Sequence, residues 1–131
     1  MAKLQLEFEL QKAICNYISV QYPKVLFLSD TVASVKLTIP QGNRNKQIQK
    51  KGFKCPDLLI LETNKNYSGC FLELKKETPY KKDGNIKSSQ NDHILEQSKS
   101  LELLRKKGYY ADFVWSFEDA KHVIDNYLID K

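Results

Sequence analysis

Pro56-Asp57-Leu58-Leu59-Ile60-Leu61-Glu62, then Thr63-Asn64-Lys65-Asn66-Tyr67-Ser68, then Gly69-Cys70-Phe71-Leu72-Glu73-Leu74-Lys75 is the stretch on which the fold turns. Its outer parts are short aliphatic runs and its middle is made of turn-forming residues, so it predicts a hairpin of two central strands, Asp57 to Glu62 and Gly69 to Lys75. Side chains two apart in a strand share a face, so Glu73 and Lys75 emerge together. Asp57 opens the first strand, and the hairpin return brings Glu73 close to it. Two carboxylates converging at a sheet edge suit a hard divalent cation such as Mg²⁺, which takes oxygen ligands. Lys75 stands beside such a cation to hold or activate a water and to offset charge on a phosphate.

Upstream, Leu6, Leu10, Ala13, Ile14, Tyr17 and Ile18 recur at helical spacing, which predicts a helix over Leu6 to Val20 that ends before Pro23. Val25 to Ser29 and Ser34 to Ile39 predict a hairpin about Asp30-Thr31, and Pro40-Gln41-Gly42-Asn43 breaks the pattern. Gln41 to Lys54 is polar and basic, a nucleic-acid-facing loop or a short helical excursion. Downstream, Lys76 to Asn91 contains Pro79 and Gly84 and predicts a long connection, a place where function concentrates. Asp92 caps a helix to Lys107, which Gly108 stops. Tyr109 to Trp115 predicts a strand whose aromatics are core, and Ser116 caps a last helix, Phe117 to Leu128. The order, roughly αβββαβα, is α/β with a mixed central sheet flanked by helices.

A chain of 131 residues fits one domain, residues 1–131. With 41% apolar and 28% charged residues it reads as globular rather than disordered or fibrous. No apolar run approaches the ~20 residues that span a bilayer, and the first residues lack a signal peptide's apolar stretch, so the expectation is a cytoplasmic protein without a membrane partner. Cys15, Cys55 and Cys70 are odd in number and widely spaced, which predicts neither a disulfide framework nor a zinc site. His93 and His122 lack partners at useful spacing, and no Gly-rich phosphate loop or Ser-His-Asp pattern competes.

The net charge of +5 is unevenly spread. Between Thr31 and Pro56 there is no acid, while Lys36, Arg44, Lys46, Lys50, Lys51 and Lys54 are basic. From Asp112 to Lys131 five acids face two bases. Such asymmetry gives a positive face suited to a polyanion.

Pro56-Asp57 followed by Glu73-Leu74-Lys75 resembles the PD-(D/E)xK signature of restriction-endonuclease-like nucleases, and three further features resemble its VRR-NUC branch. The first helix carries an acid in Glu7-Phe8-Glu9-Leu10-Gln11-Lys12-Ala13-Ile14. Glu7 lies within ~20° of Ile14 on the helical wheel, near the apolar face, whereas Glu9 points to the side; a first-turn acid favoured by the helix dipole explains Glu7 equally well. Gly52 precedes the Pro-Asp pair. Gln97 shares a helical face with Ile94, Leu101 and Leu104, ahead of Gly108.

The resemblance implies a nuclease that uses Mg²⁺ or Mn²⁺ to hydrolyse DNA phosphodiester bonds, with branched DNA such as four-way (Holliday) junctions favoured over plain duplex. It implies metal ligation by Asp57, Glu73 and the Leu74 carbonyl, a water positioned by Lys75, Glu7 completing the acidic cluster directly or through water, and Gln97 bonding to the carboxylates, a water or a phosphate. Arg44, Lys46, Lys50, Lys51, Lys54, Lys76, Lys81 and Lys82 are the candidate DNA contacts. A homodimer and a bacterial or phage-infected host cell also follow from the resemblance. The long Lys76 to Asn91 connection departs from the family pattern and suggests a strand clamp or a subunit contact. The rival functions are a non-cleaving nucleic-acid-binding module with the same fold and a small sequence-specific restriction-type endonuclease, for which this length leaves little room.

Overall fold

The computed structural model describes residues 3–29, 37–75, 77–85 and 92–129. In chain order the elements are α1 (Lys3–Gln21), β1 (Phe27–Ser29), α2 (Ile39–Ile48), β2 (Leu58–Ile60), β3 (Cys70–Leu74), α3 (Asp92–Lys106), β4 (Tyr110–Val114) and α4 (Phe117–Ile129). The strands lie side by side as β1-β2-β3-β4. The first two pairings are antiparallel and β3–β4 is parallel, because α3 carries the chain back before β4 starts. This is the mixed α/β sheet expected.

Alternation along the strands builds a core on each face. Cys70, Leu72 and Leu74 join Leu58, Ile60 and Val114 beneath α1 and α4, which contribute Ile14, Ile18, Ala120, Ile124, Tyr127 and Leu128. Burying a side chain as fully as Ile18 or Ile124, both at 0% exposure, stabilises by roughly 1.5–3 kcal/mol. The residues between them face the other way. Phe71, Ala111 and Phe113 pack with Ile94, Leu101 and Leu104 of α3, and with Phe53, Tyr80, Tyr109 and Trp115.

Local signals fix the element ends. Ser116 Oγ accepts the Asp119 N–H at 3.0 Å and caps α4. Gly108, at φ +96°, takes the left-handed turn that ends α3, and the Tyr109 N–H returns to the Leu104 carbonyl. At the α1–α4 seam the hydroxyls of Tyr17 and Tyr22 both donate to Asp125 Oδ1 at 2.6 Å, with Lys121 Nζ 3.6 Å from Oδ2. At the outer edge of the sheet, Asp112 Oδ1 accepts the N–H of its own neighbour Phe113 at 2.8 Å and the Tyr80 hydroxyl at 3.1 Å.

The early hairpin is corrected at its end. β1 pairs with β2, Phe27 opposite Ile60 and Ser29 opposite Leu58, and the partner strand expected from the sequence was Ser34 to Ile39. Residues 30–36 of that stretch lie outside the described ones, and Ile39 opens α2 instead of ending a strand. Thr38 and Gln41 form a reciprocal capping box and Pro40 sits in the first turn, so the helix starts where the sequence suggested a break. Of Gln41 to Lys54, residues 41–48 form the helical excursion and residues 49–54 follow it without regular structure.

Candidate functional site at the strand ends

Leu58 pairs with Leu72, and the next step of that ladder sets Asp57 opposite Glu73. Residues opposite each other on antiparallel strands have Cβ atoms about 4.5–5.5 Å apart, on the same side of the sheet. The pair lies on the α3 face, between Phe71 and the end of β3. Asp57 Oδ2 accepts the Leu74 N–H at 2.8 Å, which locks the aspartate to the Glu-Leu-Lys peptide. Lys75 shares Glu73's side of the strand, is half-buried, and its N–H continues the parallel pairing to the Val114 carbonyl at 2.8 Å. The structure therefore brings Asp57, Glu73 and Lys75 to one place.

Glu73 is a buried carboxyl, 4% exposed. Burial raises its pKa far above the usual carboxylate range, a hydrogen bond and the charge of Asp57 raise it further, and Lys75 opposes only in part. Two carboxyls this close, in a site short of water, have more negative charge to place than one ammonium balances. An all-oxygen donor set with that excess fits a hard divalent cation. Among the described residues no three His, Cys, Asp or Glu side chains gather as a cation cage, so the side-chain ligands on offer here are the two carboxylates.

The other elements hold this pair in place. β3 and β4 are parallel and α3 runs back between them, so the first half of α3 overlies the end of β3. Gln97, 9% exposed, and Ser100, 2% exposed, lie there on the sheet-facing side. Ser100 Oγ accepts the Lys54 N–H at 2.9 Å and Lys54 Nζ stands 3.3 Å from Glu96, which pins the chain three residues before Asp57. From the opposite face, Gln11 Nε2 donates to Ser29 Oγ at 2.5 Å, and Ser29 Oγ lies 3.5 Å from the Asp57 carbonyl oxygen. Gln11, Ser29 and Ser100 were not singled out in the sequence. The visible signal for Ser100 was its place on the buried stripe with Gln97; Ser29 and Gln11 meet only once α1 docks on β1.

Glu7 is half-buried on α1, one helical turn before Gln11. Arg44 and Lys46 project from α2, and Lys50, Lys51 and Lys54 follow it, all exposed. Lys81 and Lys82 are exposed in a tight turn closed by the Gly84 N–H on the Lys81 carbonyl at 2.9 Å and by the Lys81 N–H on the Asn85 carbonyl at 2.7 Å. Lys76 and Lys87 lie outside the described residues.

A mixed four-stranded sheet between helices, with Asp, Glu and Lys at the strand ends, is the architecture that the PD-(D/E)xK resemblance implied. No protein-family model matches the chain, and no curated protein matches it. A solved structure described as "VRR_NUC domain protein" does, with a TM-score of 0.65 at 22% identity, over 95% of this chain and 89% of that one. The chain has the VRR-NUC fold.

Proposed function

We propose that the protein is a metal-dependent nuclease that hydrolyses phosphodiester bonds in DNA. The observation that carries this reading is the meeting of Asp57 and Glu73, one held by the Leu74 N–H and the other buried, with Lys75 on the same strand face. Asp57, Glu73 and the Leu74 carbonyl would hold Mg²⁺ or Mn²⁺, which when bound supplies Lewis acidity toward the phosphate. Lys75 orients the attacking water and offsets the charge that grows on the phosphate oxygens. Gln97, in the half of α3 above Glu73, steadies the carboxylates or the phosphate by hydrogen bonding. Glu7 completes the acidic cluster through water. The basic residues from Arg44 to Lys54, with Lys81 and Lys82, contact the substrate DNA.

Four-way junctions are the preferred substrate in this reading and a homodimer the active form, since two-fold symmetry suits paired incisions. Leu26, Leu28 and Leu61, at 69%, 59% and 48% exposure on the β1–β2 edge, support a contact with a second copy. Linear, flapped and four-way DNA incubated with Mg²⁺ or Mn²⁺ test the reading, with Asp57→Ala and Lys75→Ala as controls. Cleavage by the unmodified chain that both substitutions abolish is the expected result. Binding without cleavage under either ion would instead leave a non-cutting module, and discrete plasmid fragments would indicate a restriction-type enzyme.

A further inference from the structure

α2 contributes nothing to either core. None of its residues is buried, and the isoleucines near its two ends, Ile39 and Ile48, are 82% and 80% exposed. Ten residues is also below the ~12–15 that an isolated helix needs to be stable in water. What holds it is local: Thr38 Oγ1 accepts the Gln41 N–H at 3.3 Å, Gln41 Oε1 accepts the Thr38 N–H at 2.9 Å, and Gln49 Nε2 donates to Asn45 Oδ1 at 3.2 Å. A helix capped with this care and given no buried contact among the described residues presents its side chains to something outside them.

Its surface chemistry says what. Positions 41, 44, 45 and 48 follow the i, i+3, i+4, i+7 rule for one helical face. That face carries Gln41, Arg44, Asn45 and Ile48, with Leu37 and Gln47 beside it on an open surface. No acid occurs from Leu37 to Pro56, while Arg44, Lys46, Lys50, Lys51 and Lys54 are basic. A guanidinium, a carboxamide and an aliphatic tip on one ridge match the guanine, adenine and thymine-methyl edges in a DNA major groove. Phe53 in the α3 core and Lys54 on Ser100 anchor the chain between α2 and Asp57, which tethers the helix to the end of the sheet where the carboxylates meet.

We infer that α2 is a groove-inserted contact helix that holds a double-stranded DNA arm of the substrate, with Arg44 and Asn45 on base edges and Lys46, Lys50 and Lys51 on phosphates. The B-DNA major groove, about 12 Å wide, admits a helix 10–12 Å across. The matching groove of A-form RNA is too deep and narrow for side chains to read. The helix therefore selects DNA duplex over RNA duplex. This deepens the nuclease reading by naming the substrate class, and it depends on nucleic acid as ligand rather than on hydrolysis.

Binding of a DNA duplex and an RNA duplex of the same sequence, measured by fluorescence anisotropy in chelator so that no cutting occurs, tests it. The unmodified chain is expected to bind the DNA at least tenfold more tightly, and the Arg44→Ala/Asn45→Ala double variant to lose about tenfold or more on DNA while changing little on RNA. Because Asn45→Ala also removes the Gln49 bond that helps hold α2, Arg44→Ala alone is measured beside it, and a helix content by circular dichroism and a melting temperature that both match the parent separate lost contact from lost fold. Equal affinity of the parent for the two duplexes, or a variant within twofold of the parent on DNA, overturns the inference. Absence of cleavage with Mg²⁺ or Mn²⁺ would sink the nuclease reading and leave this comparison intact.

Discussion

Glu73 and Asp125 are the same kind of group in two opposite situations. At the α1–α4 seam, burial alone would raise the pKa of Asp125, but the Tyr17 and Tyr22 hydroxyls and Lys121 bring it below the usual range. At the strand ends, Glu73 is buried against another carboxyl and is driven far above that range. Asp125 has had its charge fully answered by the fold. Glu73 has Asp57 beside it and only Lys75 to oppose, so the folded chain holds a proton there that Asp125 does not need.

Substitutions can break that contrast, and the largest effect is on turnover. Glu73→Gln is expected to reduce phosphodiester hydrolysis by on the order of 10³-fold, through loss of a cation ligand, with the metal-free melting temperature unchanged or higher. Asp125→Asn should do the reverse. Hydrolysis per folded molecule stays the same, while stability in urea falls by roughly 1–3 kcal/mol as two hydrogen bonds to a charged oxygen weaken. Loss of activity in the seam variant, or full activity in the strand-end variant, would reverse the assignment.

The pH dependence sharpens the same contrast. The folded-state pKa of Glu73 is raised, so the folded chain keeps a proton that the unfolded chain gives up. Its contribution is therefore complete below about pH 4, the unfolded carboxylate range, and drains away as the pH rises through neutrality into the alkaline range. In chelator, urea midpoints should fall between about pH 6 and pH 8, and Mg²⁺ or Glu73→Gln should flatten the slope. Asp125 has the opposite sign, since its folded pKa is lowered. What it contributes is present above about pH 4 and is lost in stronger acid, so Tyr22→Phe should weaken resistance to acid and leave the neutral slope alone. The smallest effect belongs to Lys121→Ala, whose side chain is 43% exposed in its pair with Asp125; under about 0.5 kcal/mol is expected in a urea titration.

Much of this was legible in the sequence wherever the signal was local. The alternation of Cys70, Leu72 and Leu74 against Phe71, Glu73 and Lys75 gave β3 its two faces, and the turn residues from Thr63 to Ser68 gave the hairpin that sets Asp57 opposite Glu73. The pairing of β1 with β2 was not legible, because strand pairing is decided over long separations and Ile60 lies 33 positions from its partner Phe27. α2 was half legible, for Thr38 and Gln41 with Pro40 between them form a helix-start signature that a proline-and-glycine cluster obscures. The support from Gln11 and Ser29 exists only after α1 has docked.

Asp112 has a consequence at the far border of the sheet. By accepting the N–H of Phe113 and the hydroxyl of Tyr80, its carboxylate occupies a backbone donor that would otherwise point outward from β4. A strand border with one of its donors taken by a charged side chain is a poorer template for the addition of further strands. The opposite border carries no such charge at Leu26 and Leu28, which stand exposed.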